Sequence, residues 1–215
     1  MIGSSFPHRL FLASGSSSRK KLLTDAGFDI VVINQTFDEH SECWNCTPQE
    51  LVLKLASSKM DHVIMPDPTL LSTKEKNEGI FVLTADTVVI GSDGHIYGKP
   101  DNHQEAVETL QKLRTGSSCM SAFCVERRRF DGQQWIPVGM RQCNVDAAGV
   151  HFEIEDEWIE NYLAMHPIAY HCAGSMAIEG RGALFLRGLE GSYATVIGLP
   201  LYQLRHALHA LNFFC

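Results

Sequence analysis

The most apolar stretch of the chain, residues 80–90, contains a single acidic residue. Its only polar members are Thr84, Asp86 and Thr87. A run of this length and β-branched content predicts a buried strand inside a sheet. A carboxylate in such a strand is costly unless it meets a cation or a metal ion. Asp86 is therefore either half of a structural salt bridge or a general base held on a rigid strand.

Strand and helix patterns alternate around this segment. Short branched apolar runs predict strands, and amphipathic runs that open with capping residues predict helices. The alternation predicts an α/β fold, in one domain over residues 1–215, with a mixed central sheet flanked by helices. Further strands are expected at 9–13, 28–33, 95–97, 119–130 and 135–152. Helices are expected at 19–26, 48–60, 155–165 and 201–211, and another helix is expected to begin after a cap at Asp101. The segment 66–79 is expected to be a surface insertion.

Composition limits the class of protein. The 215 residues are 45% hydrophobic and 20% charged, which is ordinary for a globular chain and excludes disorder throughout. Lys and Arg number 18 against 25 Asp and Glu, and the resulting charge of −7 argues against a general nucleic-acid binder. No stretch approaches the ~20 apolar residues of a membrane span, and the first residues lack a signal-peptide core. We expect a soluble, cytoplasmic protein with neither nucleic-acid nor membrane partners.

The chain has seven cysteines, an odd number, and it is too long to need disulfide staples. We therefore expect reduced thiols. Cys43 and Cys46 form a C-x-x-C pair, but no second pair follows at zinc-ribbon spacing. A zinc site at these two residues is kept as a weaker alternative.

A turn of small residues, Ser14–Ser18, separates the first predicted strand from a helix that begins with Arg19, Lys20 and Lys21. Backbone N–H groups at a helix N-terminus favour anions, and cations are unfavourable there unless an anion is bound. The arrangement predicts a phosphate-binding loop. The alternative is that the three long side chains extend into solvent. The segment does not contain the Walker A pattern of a P-loop.

Four further features are candidates for a site. Lys99 lies in a stiff Gly-Lys-Pro turn, and Lys59 lies near the end of the second predicted helix; each alone is an ordinary surface lysine. Glu39, beside Asp38, could hold Mg²⁺ together with substrate phosphates, although loop acids are more often solvated. The small residues of 172–183 permit a close approach of the backbone to a flat ligand, or simply form a tight turn.

Taken in order, these motifs resemble the Maf family of nucleoside triphosphate pyrophosphatases, over about residues 10–211. The resemblance implies a fold similar to the Maf and inosine triphosphatase proteins. The matching segments are Leu12–Arg19 for Leu-Ala-Ser-x-Ser-Pro-Arg-Arg, Ala85–Thr87 for Ala-Asp-Thr, Gly98–Pro100 for Gly-Lys-Pro, Gly180–Ala183 for the glycine-rich segment, Gly191–Tyr193 for Gly-Ser-Tyr and Gly198–Leu201 for Gly-Leu-Pro-Leu.

The resemblance also implies hydrolysis of a nucleoside triphosphate to the monophosphate and pyrophosphate, with Mg²⁺ or Mn²⁺. In that scheme Asp86 is the catalytic base that activates water, and Lys59 and Lys99 neutralise phosphate charge. Glu39, together with Asp86, holds the metal. The remaining substrate contacts implied by the family pattern come from Ser14, Ser18, Arg19, Thr87 and Glu179.

Three positions give mixed indications about the base. Family members that hydrolyse dTTP and UTP have Gln at the position of Glu179, and they share the threonine at position 87. Family members that hydrolyse 7-methyl-GTP are instead similar to this chain at Cys172–Ser175. Ser18 replaces the first arginine of Pro-Arg-Arg. A carboxylate accepts both N1–H and the N2 amino group of guanine, whereas a glutamine amide suits uracil or thymine. We expect a slight preference for a 7-methyl-GTP-like nucleotide, with dTTP and UTP as the alternative.

A second hypothesis is a nucleotide-binding regulator of cell division without turnover, since the Maf family is named for an effect on septum formation. A third is the zinc module at Cys43 and Cys46. Pyrophosphate release with Mg²⁺ or Mn²⁺ distinguishes the enzyme from the regulator, and metal analysis tests the zinc module. The expected partner is a nucleoside triphosphate, and a homodimer is left open.

Overall fold

The computed structural model describes residues 6–39 and 46–215. Strands and helices alternate along this part of the chain. The strands are β1 (Leu10–Leu12), β2 (Ile30–Val32), β3 (Ile80–Gly91), β4 (Ile96–Tyr97), β5 (Ser117–Phe130), β6 (Trp135–Pro137), β7 (Gln142–Phe152) and β8 (Leu186–Glu190). The helices are α1 (Ser17–Asp25), α2 (Pro48–Asp61), α3 (Thr73–Glu78), α4 (His103–Leu113), α5 (Asp156–Met165), α6 (Tyr193–Ile197) and α7 (Leu201–Ala210). None of these helices has both the length and the apolar character needed to cross a membrane.

The strands form a mixed sheet in the order β2-β1-β3-β5-β7-β8, with β4 paired to β3 and β6 paired to β5. β1 runs parallel to β2 and β3, so that Leu12 lies opposite both Val32 and Leu83. β4, β6 and β8 pair antiparallel with β3, β5 and β7. Within the described ranges, the predicted α/β fold with a mixed sheet and flanking helices is confirmed.

Contacts within the chain divide the described residues into two compact units. The first lies within Met1–Asp86, Ala122–Val145 and Leu199–Cys215, and the second comprises Thr87–Ser121 and Asp146–Gly198. β3, β5 and β7 each continue along the chain from one unit into the other. Each unit has its own buried apolar cluster. The expectation of a single domain stays a prediction.

The core of the first unit is aromatic at its centre. Phe213 is fully buried, and its ring centroid lies 4.9 Å from that of Phe81 on β3 and 5.7 Å from that of Phe28. Aromatic pairs at these distances add to the gain from burial alone. Leu10 and Leu12 of β1 belong to the same cluster. The residues after α7 therefore help to fix β1 and β3, the strands that lead to Ser14 and Asp86.

The core of the second unit surrounds Tyr162 on α5. The Tyr162 ring centroid lies 5.7 Å from those of Phe152 on β7 and Phe185. Leu110 and Leu113 of α4 are fully buried in the same cluster. Tyr162 is 2% exposed, and burial raises the pKa of its hydroxyl above the usual range, so it acts as a neutral hydrogen-bonding group.

Two predicted elements differ from the structure. The strand expected over 135–152 is divided into β6 and β7, because Gly139 adopts a positive φ of 83°, which interrupts extended backbone. Asp101 does not cap α4. The cap is Asn102, whose side chain accepts the Glu105 N–H at 2.9 Å, while the Asp101 N–H donates to the Glu105 carboxylate at 2.8 Å.

The segment 66–79, expected as a surface insertion, contains helix α3. Ser72 and Glu75 form a capping box at its start. Glu75 is 8% exposed and accepts two hydrogen bonds of 2.8 Å from Arg9, the residue before β1. Burial opposes its charge, but hydrogen bonds from Arg9 and Ser72 outweigh burial and lower the pKa of Glu75 to about 2. This ion pair ties the segment to β1.

Glu75→Gln is expected to lower the free energy of unfolding by about 1–3 kcal/mol at neutral pH. Because folding depresses the pKa of Glu75, its contribution is complete above the ordinary value of 4.5 and is lost as the pH falls toward about 2. Urea unfolding of both proteins across this window measures the effect. A difference between them that does not shrink with falling pH would show that the charge of Glu75 does not stabilise the fold.

The structure joins Cys124 of β5 to Cys143 of β7 in a disulfide, so the expectation of reduced thiols is wrong for this pair. The two strands are neighbours in the sheet, which brings together residues that are 19 positions apart. Cys119 is a buried thiol, and burial raises its pKa to about 12, which makes it unreactive. Cys43, half of the C-x-x-C pair with Cys46, lies outside the described residues.

Candidate active site

Asp86 is a buried carboxylate on β3 that contacts two buried cations. Its Oδ2 lies 3.0 Å from Nζ of Lys59, and its Oδ1 lies 4.0 Å from Nη2 of Arg19. The exposed fractions of Asp86, Lys59 and Arg19 are 6%, 6% and 8%. The cations offset the cost of holding a carboxylate inside an apolar strand. The three side chains therefore form one buried charged cluster in the first unit.

Parallel pairing of β1 with β3 brings the residues after β1 to this cluster. Leu12 is in register with Leu83, and the Ala13 N–H donates to the Leu83 carbonyl at 2.8 Å. β1 ends there, whereas β3 continues to Asp86 and beyond. The turn that follows β1 therefore passes beside the part of β3 that contains Asp86, at the carboxyl end of a parallel strand, where α/β proteins bind ligands.

The Ser14–Ser18 turn and the first turn of α1 place the Arg19 side chain. Ser16 is the N-cap, and its hydroxyl accepts the Arg19 N–H at 3.3 Å. Nη1 of Arg19 donates to Oγ of Ser14 at 3.2 Å and to the Ala85 carbonyl at 2.9 Å. Arg19 thus folds back over the turn and does not extend into solvent.

The other residues at the start of α1 behave differently. Lys20 and Lys21 are exposed, and Lys21 pairs with Asp25 one turn later, at 2.7 Å. Ser18 is half-buried on the first turn. The predicted group of three cations is therefore reduced to Arg19, and the solvent-exposed alternative holds for both lysines.

Lys59 lies on the last turn of α2, and its burial makes the solvated alternative wrong. Its Nζ lies 2.7 Å from Oε1 of Glu39 as well as 3.0 Å from Asp86. The Thr84 hydroxyl donates to the Ala56 carbonyl at 2.7 Å and so anchors α2 to β3. Thr84 is two residues before Asp86 on the strand, so this bond sets the position of the helix relative to the carboxylate.

Glu39 and Asp86 converge on the same ammonium group. Two carboxylates aimed at one point suit a hard divalent cation, which takes one or two carboxylates together with substrate phosphates. Within the described residues, no group of three or more His, Cys, Asp or Glu side chains could hold a metal ion. Among these residues, the two carboxylates thus fit a metal ion whose coordination is completed by substrate.

Thr87 is the first residue of β3 that belongs to the second unit. Its hydroxyl lies 2.8 Å from Oγ of Ser121 on β5. The Ser121 hydroxyl donates to the Thr195 carbonyl at 2.7 Å, and the Thr195 hydroxyl donates to Asp146. The Ser121 hydroxyl, held by the Thr195 carbonyl, therefore fixes the orientation of the Thr87 side chain.

Glu179 stands at the start of a tight turn in the second unit. It is half-buried and precedes the 3₁₀ turn Gly180–Leu184. A Cβ at Gly182 would lie 1.7 Å from the Ala177 carbonyl oxygen, so the turn requires glycine there. The Tyr162 hydroxyl accepts the Ala177 N–H at 2.9 Å. These contacts fix the backbone that leads to Glu179.

Lys99 is exposed in the turn between β4 and α4. The carbonyl of the preceding residue, Gly98, accepts the Gly174 N–H at 2.8 Å. Gly174 has a φ of +68°, and a Cβ there would lie 2.7 Å from the Leu113 side chain. The second unit therefore brings the Gly-Lys-Pro turn against the small-residue segment 172–183.

The described site residues are divided between the two units, and Ser18 lies in the first. In the first unit, Ser14, Arg19, Glu39, Lys59 and Asp86 are linked by direct contacts. In the second unit lie Thr87, Lys99 and Glu179.

A sequence model of Maf-like proteins matches residues 9–211. The chain belongs to the Maf family. A nucleoside triphosphate pyrophosphatase of Gloeothece citriformis is 34% identical over 204 residues, which cover 94% of this chain and 93% of the relative. A dTTP/UTP pyrophosphatase of Hydrogenovibrio crunogenus is 32% identical over 210 residues, covering 96% and 97%. Another dTTP/UTP pyrophosphatase, of Geotalea uraniireducens, is 32% identical over 205 residues, covering 94% and 95%.

The motif pattern of this Maf chain does not indicate two further charged residues of the first unit, the buried Glu126 and the half-buried Arg141. Glu126 on β5 is 6% exposed, and Arg141 lies just before β7. Glu126 follows a run of apolar residues at 122–125, the same signal that marks Asp86, so sequence reasoning could have found it. Arg141 lies between Met140 and Gln142, and nothing local distinguishes it from a surface arginine.

Proposed function

We propose that this chain hydrolyses a nucleoside triphosphate to the monophosphate and pyrophosphate, by attack of water on the α-phosphorus. The observation that carries the proposal is the buried cluster of Asp86 with Lys59 and Arg19, in a chain of the Maf family. Buried ion pairs add little net stability, so a cluster of them in a ligand-binding position is better explained by chemistry.

In the proposed mechanism Asp86 accepts a proton from the attacking water. Its carboxylate is held by a strand and two cations, so it is oriented before substrate arrives. The water oxygen forms a bond to the α-phosphorus as the bond from phosphorus to the α–β bridging oxygen breaks. Pyrophosphate leaves with the electron pair of that bond, and Asp86 then releases its proton to solvent.

The proposed role of the cations is to bind phosphate oxygens. Phosphoryl transfer depends mainly on positioning and on neutralising charge. Arg19 and Lys59 are oriented by Ser14, Asp86 and other neighbours, and a triphosphate competes for the same donors. Lys99 is proposed to bind phosphate from its exposed turn.

Glu39 and Asp86 are the residues that we propose hold Mg²⁺ or Mn²⁺. Bound there, the ion would neutralise charge that develops on the phosphate oxygens. The contact of the Lys59 ammonium with both carboxylates supports a preference of this point for positive charge. The carboxylates also keep Lys59 oriented, so their role in positioning does not depend on the ion.

The proposed substrate is a guanine-type nucleotide such as 7-methyl-GTP. Glu179 can accept two donors from the Watson–Crick edge of guanine, and its charge favours a positively charged methylated base. Ser18 leaves space where other family members have arginine. The names of two relatives and the presence of Thr87 favour dTTP and UTP as the second candidate.

Glu179→Gln is expected to shift the ratio of kcat/KM values toward dTTP and UTP by roughly tenfold or more, because a hydrogen-bonded site rejects a mismatched base. The measurement compares wild type and variant on 7-methyl-GTP, dTTP and UTP. Glu160→Gln, at an exposed position on α5, is the control and should leave the ratio unchanged. A wild type that prefers dTTP or UTP, with a ratio unaffected by Glu179→Gln, would contradict the assignment of Glu179.

Pyrophosphate release from a panel of ordinary and modified triphosphates, with Mg²⁺ or Mn²⁺, tests the activity itself. Identification of both products distinguishes cleavage at the α–β bond from release of phosphate. Nucleotide binding without product would favour the regulator of cell division over the enzyme.

A further inference from the structure

Arg141 bridges two elements of the first unit. Its Nε donates to Oε1 of Glu126 on β5. Its Nη1 donates to Oγ of Ser57 at 2.7 Å, and its Nη2 donates to Oδ1 of Asp61 at 2.5 Å. Ser57 and Asp61 both belong to the C-terminal part of α2. One planar guanidinium therefore connects the sheet to the end of that helix.

Arg128 makes a second connection between the same elements. Its Nε donates to the other oxygen of Glu126 at 2.6 Å, and its Nη2 donates to the Met60 carbonyl at 3.1 Å. Glu126 is buried, and each of its oxygens accepts from one arginine. The buried carboxylate thus holds two arginines in place, and both reach the last turn of α2.

The α2 residues that the two arginines contact lie on both sides of Lys59 along the helix. Ser57 precedes it by two residues, Met60 follows it directly, and Asp61 is the last residue of the helix. The last turn of a helix lacks part of its hydrogen bonding and opens easily unless other groups hold it. The Nζ of Lys59 depends on this turn for its position beside Asp86.

We propose that Arg141 is a positioning residue, which holds the last turn of α2 and thereby keeps the Lys59 ammonium against Asp86. The catalytic part of this inference rests on the proposed function of Lys59. Three acceptors in different directions require the rigid fork of arginine, which a lysine cannot replace. Burial works against the charge of Arg141, but bonds to Asp61 and Glu126 outweigh it and raise its pKa, so the guanidinium stays charged.

Arg9 provides a matched control. It also binds a buried glutamate of the first unit, because two of its nitrogens donate to Glu75. Those bonds reach α3 and not α2. Arg9→Met therefore removes a comparable ion pair without removing a contact to the helix that contains Lys59.

The test measures acylation of Lys59 by an amine-reactive reagent, with labelling read by mass spectrometry. Burial and two ion pairs should make labelling slow in the wild type. In Arg141→Met the rate at Lys59 should rise roughly three- to thirtyfold, the range for coupled neighbouring groups. In Arg9→Met it should stay at the wild-type value. Lys54, exposed on the same helix, gives the reference rate.

Pyrophosphate release supplies a second measurement. If Arg141 acts through Lys59, the double variant Lys59→Met/Arg141→Met should be no slower than Lys59→Met alone. Independent structural effects would instead add. Arg9→Met should slow the reaction only slightly, and by the same factor in the wild type and in Lys59→Met.

An unchanged labelling rate at Lys59 in Arg141→Met overturns the inference, whether or not the chain hydrolyses nucleotides. Absence of pyrophosphatase activity in the wild type overturns only the proposed function, because labelling does not depend on turnover. If Arg141→Met does not fold, Asp61→Ala removes one acceptor at the exposed end of α2. It should raise Lys59 labelling in the same direction, by a smaller factor, and no rise would count against the proposal.

Discussion

Asp86→Asn is expected to lower kcat for pyrophosphate release by about 10²–10⁴-fold, the contribution of a positioned base. Asparagine has nearly the same shape and still accepts hydrogen bonds from the cations beside it, but it cannot take a proton from water. Nucleotide binding should persist, because the phosphate-binding cations remain. The measurements are kcat and KM at saturating metal, nucleotide binding by calorimetry and the thermal unfolding midpoint.

The control for loss of charge is Asp25→Asn. Asp25 forms an ion pair of 2.7 Å with Lys21 on the exposed face of α1, so this change also removes one acid–lysine pair in the first unit. Its rate should equal that of the wild type. A residual rate in Asp86→Asn above about one tenth of the wild-type rate would remove Asp86 from the role of base.

A purely structural Asp86 gives the opposite pattern. Removing one partner of a buried ion pair destabilises a fold strongly, because the other charge is left uncompensated. In that case the variant would unfold more easily but keep its rate per folded molecule. Measuring activity and unfolding on the same preparation therefore separates the two interpretations.

The local part of this architecture is predictable from sequence. The strand expected at 80–90 and the helix expected at 48–60 match β3 and α2 to within one residue at each end. Both depend on short-range signals, namely a continuous apolar run and a capping box with proline after the cap. The same reasoning states that the Asp86 carboxylate needs a cation, because that requirement follows from its own strand.

The local sequence does not determine which cation the Asp86 carboxylate contacts. Lys59 resembles a surface lysine in sequence, and its burial depends on how α2 packs against β3. The disulfide between Cys124 and Cys143 likewise depends on β5 and β7 being neighbours in the sheet. The contacts of Arg141 depend both on the strand order and on the packing of α2 against the sheet. Each of these features requires the strand order and the helix position, neither of which periodicity specifies.

Lys59→Met is expected to lower kcat/KM by about 10²–10³-fold, the effect of removing one preorganised charge at a phosphoryl-transfer site. Methionine retains the length and apolar stem of lysine, so the packing of α2 is largely kept. Lys54→Met, at an exposed position of the same helix, should leave kcat/KM unchanged. If correctly folded Lys59→Met has the kcat/KM of the wild type, the role of Lys59 is structural and not catalytic.

The same variant tests the cation preference of the site without any substrate. Removing the ammonium leaves Glu39 and Asp86 directed at one point, where two carboxylates repel each other unless a cation lies between them. Lys59→Met should therefore be destabilised, by about 3–5 kcal/mol, and added Mn²⁺ should restore part of that loss. Thermal unfolding with and without Mn²⁺ measures the recovery. Since Lys54→Met keeps the Lys59 ammonium in place, Mn²⁺ should raise its unfolding midpoint much less; equal shifts in both variants would place the metal elsewhere.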